Sequence, residues 1–201
     1  MRALVLFLVV VLPLTGCITN RVTNPPRSAT EQMVISSAAD RAVRQLHFML
    51  PPGTRVFLDV HNLTAANGDD ARYVAAVVED RLLLEGAALM PDAKSADVIV
   101  ALRSSALAAN YHKILIGLPS MGLPVPLAGT IETPEVAFYS WDDQKGVAQL
   151  AATSYGTRDG TLRSSTGSFT GVAKHNKRVV LFIFSSTRNN LESPIDNRLS
   201  Q

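Results

Sequence analysis

The fold is decided by a stretch that reads RVFLDVH at residues 55–61, continues through a helical segment, and returns as ADVIVAL at residues 96–102. Apolar residues alternate along the first run, which is typical of an interior β-strand. Between the two runs, residues 71–85 place apolar side chains in helical register, and Gly86 offers a terminator. This β-α-β order favours parallel pairing of the two strands through a right-handed crossover.

A first helix is predicted upstream, from about Ala29 to about Phe48. Ser28 and Glu31 fit a capping box, in which both side chains satisfy free backbone groups at the start of a helix. Apolar positions then recur at near-helical spacing, and Pro51-Pro52-Gly53 ends the helix.

Downstream, the sequence predicts shorter strands. Residues 135–141 and 147–155 read as a hairpin around a turn at 142–146, in which Gly146 suits a left-handed position. Residues 164–171 read as a flexible loop or bulged strand, and residues 178–184 as an apolar strand. We expect one α/β (α+β) domain, with a mixed sheet of about five strands and two helices packed on one face.

The N-terminus has the pattern of a bacterial lipoprotein signal peptide: Arg2, an uncharged run over residues 3–14, and Leu14-Thr15-Gly16-Cys17. An apolar run of about a dozen residues is too short to span a membrane. We expect a signal peptide over residues 1–16, a lipidated tether over 17–27, a single α/β domain over 28–188 and a polar tail over 189–201. A short anchor that is never cleaved is the alternative.

Cys17 is the single cysteine of the 201 residues. Once lipidated, it leaves no thiol for a disulfide, a thiolate metal site or nucleophilic catalysis. Two acyl chains such as palmitate on Cys17 would hold the protein firmly on a membrane. Ile18 stands where an aspartate would favour retention in the inner membrane, so we expect the outer membrane, facing the periplasm. The formal charge of +2 is scattered along the chain, which argues against nucleic acid as a partner.

No catalytic, cofactor or metal motif stands out. Asp59 and His61 share one strand face, but two groups without a third ligand do not define a site. The serine of Gly-Ser-Phe-Thr-Gly at 167–171 sits one place too early for a nucleophile elbow, and Gly117 and Gly122 lack the lysine of a phosphate loop. We expect no enzyme and no cofactor; an envelope enzyme with an unrecognised site near Asp59 and His61 is an alternative hypothesis.

The segment from Ile114 to Ala128 carries no charge and includes three prolines, which predicts neither a regular helix nor a central strand. Its apolar residues would form a patch too large for a monomer to expose. The segment is therefore a buried crossover, a partner or oligomer contact, or a membrane contact. The candidate contact residues are Leu115, Leu118, Met121, Leu123, Val125 and Leu127.

Three short runs carry a resemblance: SATEQ at 28–32, SAADRAV at 37–43 and TPEVAF at 133–138. Together they resemble a family of bacterial lipoproteins of uncharacterised function, which transfers no catalytic residue. Residues 56–97 are similar to the α/β domain of the TolB amino-terminal region, the penicillin-binding-protein activator lipoprotein and the curli-export lipoprotein. Members of that group work by contact or assembly.

These resemblances imply a non-enzymatic accessory or assembly lipoprotein that binds an envelope protein or self-associates. A subunit of an oligomeric secretion channel is the alternative they suggest. The curli exporter forms membrane-spanning hairpins from alternating strands. Residues 114–128, with three prolines and no alternation, depart from that pattern.

Overall fold

A computed structural model describes residues 27–65, 68–125 and 129–191. The predicted signal peptide, Cys17 and all of the tether except Arg27 lie outside the described residues, as do Leu127 and the tail beyond Leu191. The elements, in chain order, are α1 (Ala29–Arg44), β1 (Arg55–Asn62), α2 (Gly68–Leu84), β2 (Ala88–Leu89), β3 (Val98–Leu118), β4 (Gly122–Val125), β5 (Gly129–Glu132), β6 (Val136–Gly156), β7 (Leu162–Val180) and β8 (Phe184–Asn189).

Six of the strands form one mixed sheet in the order β2-β1-β3-β6-β7-β8, and β4 pairs with β5 in a separate two-stranded hairpin. β1 runs parallel to β2 and to β3, as the β-α-β pattern predicted. β3, β6, β7 and β8 follow one another in antiparallel order. The predicted α+β class, mixed sheet and two helices are confirmed, while the estimate of about five strands falls one short of the main sheet.

The core lies between the helices and one face of the sheet. Buried residues from α1 and α2 form a single cluster with alternate residues of the central strands. Its largest fully buried members include Phe48, Leu46, Leu82, Leu102, Leu150, Val34, Val43, Val56, Val74 and Val78. This apolar area removed from water supplies the main driving force for folding.

α1 begins as predicted, because the Ser28 side chain accepts a hydrogen bond from the backbone N–H of Glu31 at 3.1 Å. It ends at Arg44, before the predicted limit at Phe48. Phe48 is instead fully buried, and its backbone N–H donates to the Glu85 carboxylate at 3.0 Å. The segment thus leaves the helix to place an aromatic ring in the core. α2 ends before Gly86, whose φ of +88° is the left-handed conformation expected of a terminator.

The predicted hairpin around residues 142–146 is wrong, because β6 runs unbroken from Val136 to Gly156. The polar residues of that segment have cross-strand partners: the Tyr111 hydroxyl donates to Asp142 at 2.9 Å, and the Asn176 amide donates to Asp143 at 2.6 Å. Gly146 serves close packing, since a Cβ there would lie 2.1 Å from the carbonyl oxygen of Val34. The cross-strand partners of these side chains and the close approach of α1 explain why a turn-like sequence forms an extended strand.

The described part of residues 114–128 holds two strand segments rather than a crossover, and neither segment is central in a sheet, as predicted. Ile114 to Leu118 form the end of β3, which pairs with β6 alone at this point, with a register shift at Ile116 and Gly117. Gly122 to Val125 form β4, whose only partner among the described residues is β5. Proline lacks an N–H but is tolerated in such an edge strand, which accounts for Pro124.

Two further predictions concern β7. Residues 164–171 lie within this strand, and the register with β6 shifts opposite Ala152 and Thr153, so the bulged-strand interpretation is confirmed. Residues 178–184 are not one strand. β7 ends at Val180, a turn follows, and β8 begins at Phe184.

Candidate contact surface

The sheet extends well past the helices. α1 rests on β6 and β7 at Gly146 and Gly171, where its backbone approaches too closely for any side chain. Parallel pairing of β1 with β3 stops at Arg103. Beyond these points the antiparallel strands continue as what we call the arm, which comprises residues 109–118, 136–146, 173–180 and 184–189, with the β4–β5 hairpin at its end.

One face of the arm carries a chain of side-chain contacts across three strands. The Trp141 indole N–H donates to the Asn176 side-chain oxygen. The His112 ring meets Trp141 edge-on with centroids 6.0 Å apart, and the Arg178 guanidinium carbon lies 5.9 Å from the Trp141 ring centroid. Contacts of these kinds each add a modest stabilisation beyond area burial. They fix the register of β3, β6 and β7 in a part of the sheet where neither described helix rests on the strands.

The opposite face carries a second set of cross-strand contacts. The Lys113 ammonium donates to the Glu135 carboxylate at 2.6 Å, and this hydrogen bond raises the pKa of Lys113. Partial burial, together with the hydrogen bond to Asp142, raises the pKa of Tyr111. Both groups therefore keep their protons at neutral pH, Lys113 as a cation and Tyr111 as a neutral hydrogen-bond donor.

The end of the arm is apolar and exposed. Uncharged stretches of the described chain converge there: residues 114–125, 129–131, 136–141 and 179–187. We define the apolar end as ten side chains that are each more than half exposed: Ile116, Leu118, Met121, Leu123, Ile131, Phe138, Leu181, Phe182, Ile183 and Phe184. The Phe138 and Phe182 rings touch edge to face, so the β3–β6 side and the β7–β8 side form one continuous patch. Clustered exposure of this kind makes the patch a candidate contact site.

The turn between β7 and β8 is built from residues that do not favour its conformation. Leu181 and Phe182 have φ angles of 49° and 51°, in the left-handed region that glycine and asparagine occupy at least cost. Ile183, the next residue, is 74% exposed. Large apolar residues therefore occupy a strained and exposed turn, which favours a role for these side chains outside the fold itself.

Of the predicted contact residues, Leu118, Met121 and Leu123 lie in the apolar end. Leu115 lies on β3 just before it and is half-buried. Val125 closes β4, but its side chain is outside the described part of the structure, as is Leu127 entirely. The structure thus brings three of the six predicted residues together on one exposed surface.

Asp59 and His61 lie at the end of β1, where the Asp59 carboxylate accepts a hydrogen bond from the His61 backbone N–H at 2.9 Å. This is a local contact within one strand, and it leaves the imidazole uninvolved. Within residues 27–65, 68–125 and 129–191, no three His, Cys, Asp or Glu side chains are grouped so that they could hold a metal ion. Neither described helix is long and apolar enough to cross a membrane.

Sequence reasoning missed half of the apolar end. Five of its ten residues, Phe138, Leu181, Phe182, Ile183 and Phe184, were assigned to strands, without a role in contact. A signal was present, since residues 179–184 are six consecutive apolar residues. Such a run is usual in a buried strand, and only the structure shows that it spans a turn at an unsupported end of the sheet.

The fold and this surface define a class: an α+β domain with two helices on a mixed sheet whose long antiparallel strands extend to an exposed apolar end. The chain belongs to a family of unknown function (DUF6655), whose model matches residues 11–180. No curated protein matches the chain.

Proposed function

We propose that the protein is a membrane-anchored lipoprotein of the bacterial cell envelope, located at the outer membrane and facing the periplasm. It acts as a non-enzymatic accessory or assembly factor, and its working contacts, with an envelope partner or a second copy, are made through the arm. The Leu14-Thr15-Gly16-Cys17 sequence supports the lipid anchor. The observation that carries the proposal is the apolar end, a continuous exposed patch at the end of the arm.

The anchor is tested by growing cells with labelled palmitate and comparing the full chain with its Cys17→Ser variant. We expect label in the membrane fraction for the wild type and none for the variant. Equal labelling of both proteins, or no labelling of either, contradicts the anchor.

The contact role is tested with Leu123→Asp and a matched control, Leu84→Asp. Leu123 is 51% exposed on the apolar end, and Leu84 is 82% exposed at the end of α2, so neither charge should unfold the domain. After lysine-directed cross-linking of intact envelopes, we expect the wild type and Leu84→Asp to give a product of higher mass. Leu123→Asp should give none. A Leu123→Asp protein that no longer folds would show that this residue belongs to the core, and unchanged cross-linking would remove the apolar end from the proposal.

A second candidate, a subunit of an oligomeric secretion channel, is favoured by one observation. β3 and β6 are each 21 residues long, and the arm ends in two outer strands that have a free edge within the described residues. Free edges are templates for pairing with another chain. Ring-shaped particles of the full chain in detergent would favour this candidate, and a strictly monomeric particle would exclude it.

A further inference from the structure

We propose that the apolar end of the arm inserts into the interfacial layer of the lipid bilayer in which Cys17 is anchored. This inference rests on the lipid anchor in the proposed function. It assigns the apolar end itself to lipid, so that a protein partner or a second copy would contact the rest of the arm. The protein would then meet the membrane at two points, one covalent through Cys17 and one through side chains of the folded domain.

The chemistry of the apolar end fits acyl chains better than water. No charged residue occurs within residues 114–131 or 179–187. Leucine, isoleucine and phenylalanine dominate the exposed side chains, and these are the residue types that enter the headgroup and acyl boundary. Interfacial segments bury their apolar side about 5–10 Å deep in the bilayer. The turns and exposed side chains of the apolar end can insert to that depth.

The strand edges limit how deep the arm can go. From Ser104 to Leu118, β3 pairs only with β6 in the described structure, so its outer edge leaves backbone groups without strand partners. β8 has a free edge in the same sense. An unsatisfied backbone group costs several kcal/mol in hydrocarbon. Insertion is therefore confined to the interfacial layer, where water still reaches the backbone.

A basic layer lies directly behind the apolar end. We define the collar as residues 110–114, 141–145, 174–178 and 186–190, which face one another across the four strands. The collar holds six Lys or Arg residues and two Asp residues: Lys113, Lys145, Lys174, Lys177, Arg178, Arg188, Asp142 and Asp143. Lys174, Arg178 and Arg188 line one groove of 560 Å³ that reaches to Phe184. Cations at this height complement anionic headgroups when the apolar end is in the acyl boundary.

Aromatic side chains occupy the same layer. Trp141, with its indole N–H hydrogen-bonded, and Tyr111 both lie in the collar, and Tyr139 lies two residues beyond Trp141 toward the apolar end. Tryptophan and tyrosine favour the membrane–water interface because they are apolar rings with a polar tip. Along the strands, the apolar end is thus followed by a layer that holds both aromatic rings and cations, which is the order in which a bilayer presents acyl chains and headgroups.

The position of the anchor agrees with this orientation. Ser28 and Glu31, at the start of α1, line one cleft with Tyr111 and Gln144 of the arm, so the chain enters the domain on the side of the collar. Arg27 is held there by its contacts with Asp70 and Glu31. Ten residue steps separate Cys17 from Arg27 and span at most about 35 Å. Leu118 lies seven strand residues beyond Tyr111, or about 24 Å, so lipid on Cys17 can reach the level of the apolar end.

The test uses the full chain with Cys17→Ser, which removes its single cysteine and allows one labelled cysteine to be placed at will. Ile183→Cys and Leu123→Cys place an environment-sensitive fluorophore on the apolar end. Leu162→Cys is the matched control, because Leu162 is 66% exposed at the far end of β7. The probe is a vesicle of phosphatidylcholine with one third phosphatidylglycerol that contains doxyl-labelled acyl chains. All three proteins keep the same N-terminus, so differences report the position of the label.

We expect quenching and a blue-shifted emission at positions 183 and 123 and neither at position 162. A further variant pair in the collar, Lys174→Glu with Arg188→Glu, should weaken vesicle binding at least about tenfold. Absence of quenching at 183 and 123 overturns the proposal, as does equal quenching at 162. If either overturning result is accompanied by a defined dimer in light scattering, a second copy of the protein, and not lipid, covers the apolar end. Palmitate labelling of Cys17 is independent of this readout, so the proposed function can survive when the inference fails.

Discussion

Phe138 of β6 meets Phe182 of the β7–β8 turn edge to face, with ring centroids 5.4 Å apart and planes inclined by 64°. Both rings are more than half exposed, so the contact holds two apolar segments together at the surface of the protein. Phe182 keeps this position although its φ of 51° disfavours a side chain of its size. The turn is thus locally strained, and it exposes apolar side chains at the protein surface.

Replacing the residues of that turn should change the stability of the domain and its binding to vesicles in opposite directions. Leu181→Asn with Phe182→Gly installs residues that adopt positive φ readily, so we expect the domain to become more stable by about 1 kcal/mol or more. The same variant should bind vesicles more weakly because it loses two apolar side chains. Urea unfolding and vesicle flotation measure the two effects, and a loss of stability would mean that the Phe182 contact outweighs the strain.

Gly171 should tolerate no side chain. A Cβ at this position would lie 1.9 Å from the carbonyl oxygen of Ala38 and 2.7 Å from the backbone nitrogen of Ala42. Gly171→Ala therefore forces α1 away from β7, which should cost about 1–3 kcal/mol or more of unfolding free energy. Gly68→Ala is the control, since nothing lies within 4 Å of its Cβ. Equal urea midpoints for the two variants would contradict the close contact of helix and sheet.

Burial predicts which leucines stabilise the domain. Leu150 is fully buried in β6, and Leu150→Ala should lower the free energy of unfolding by about 2–5 kcal/mol. Leu84 is 82% exposed, so Leu84→Ala should change it by about 0.5 kcal/mol or less. Chemical denaturation of both variants measures the two changes. A large loss of unfolding free energy for Leu84→Ala would contradict the exposure of this side chain and reveal a contact that the monomer does not show.

Acidic pH should weaken the ion pair that links the starts of β1 and β3. The Arg55 guanidinium donates to both Asp97 oxygens, at 2.9 and 2.7 Å, and holds the pKa of Asp97 below its usual value. Because the folded-state pKa is lowered, the stabilisation is present above the unfolded pKa of about 4 and is lost as pH falls through the folded value. Asp97→Asn should be less stable than wild type at pH 7 and equal to it at pH 2. A pH-independent difference would refute the electrostatic origin.

Alkaline pH should weaken the hydrogen bond that links α2 to α1. Burial, and then the hydrogen bond from the Tyr73 hydroxyl to Asp40 at 2.9 Å, raises the pKa of Tyr73 well above its ordinary value. The folded state therefore keeps a proton that the unfolded chain loses above pH of about 10, so this contribution falls as pH rises. Tyr73→Phe should remove that part of the alkaline loss. Absorbance titration at 295 nm should also lose its last-titrating tyrosine, and an unchanged titration would contradict the assignment.

The sequence located the core well because the relevant signals are local. The alternation from Val56 to Val60, the helical register of residues 71–85 and the cap at Ser28 each depend on neighbours a few positions away. The parallel pairing of β1 with β3 followed from the order of these elements. The sequence also singled out residues 114–128, since a run without charge is visible in composition alone.

The arm could not be predicted, because what makes β6 one strand lies far away in the chain. Asp142 is paired with Tyr111 and Asp143 with Asn176, and Gly146 makes room for α1, so a turn-like sequence is extended. The same holds for Phe138 and Phe182, which meet only because β6 and β7 run side by side to the end of the arm. By itself, the sequence determined the elements of the core and the presence of an apolar segment. The tertiary structure decided the length of the strands and the single exposed patch, because cross-strand partners and helix contacts override local preference.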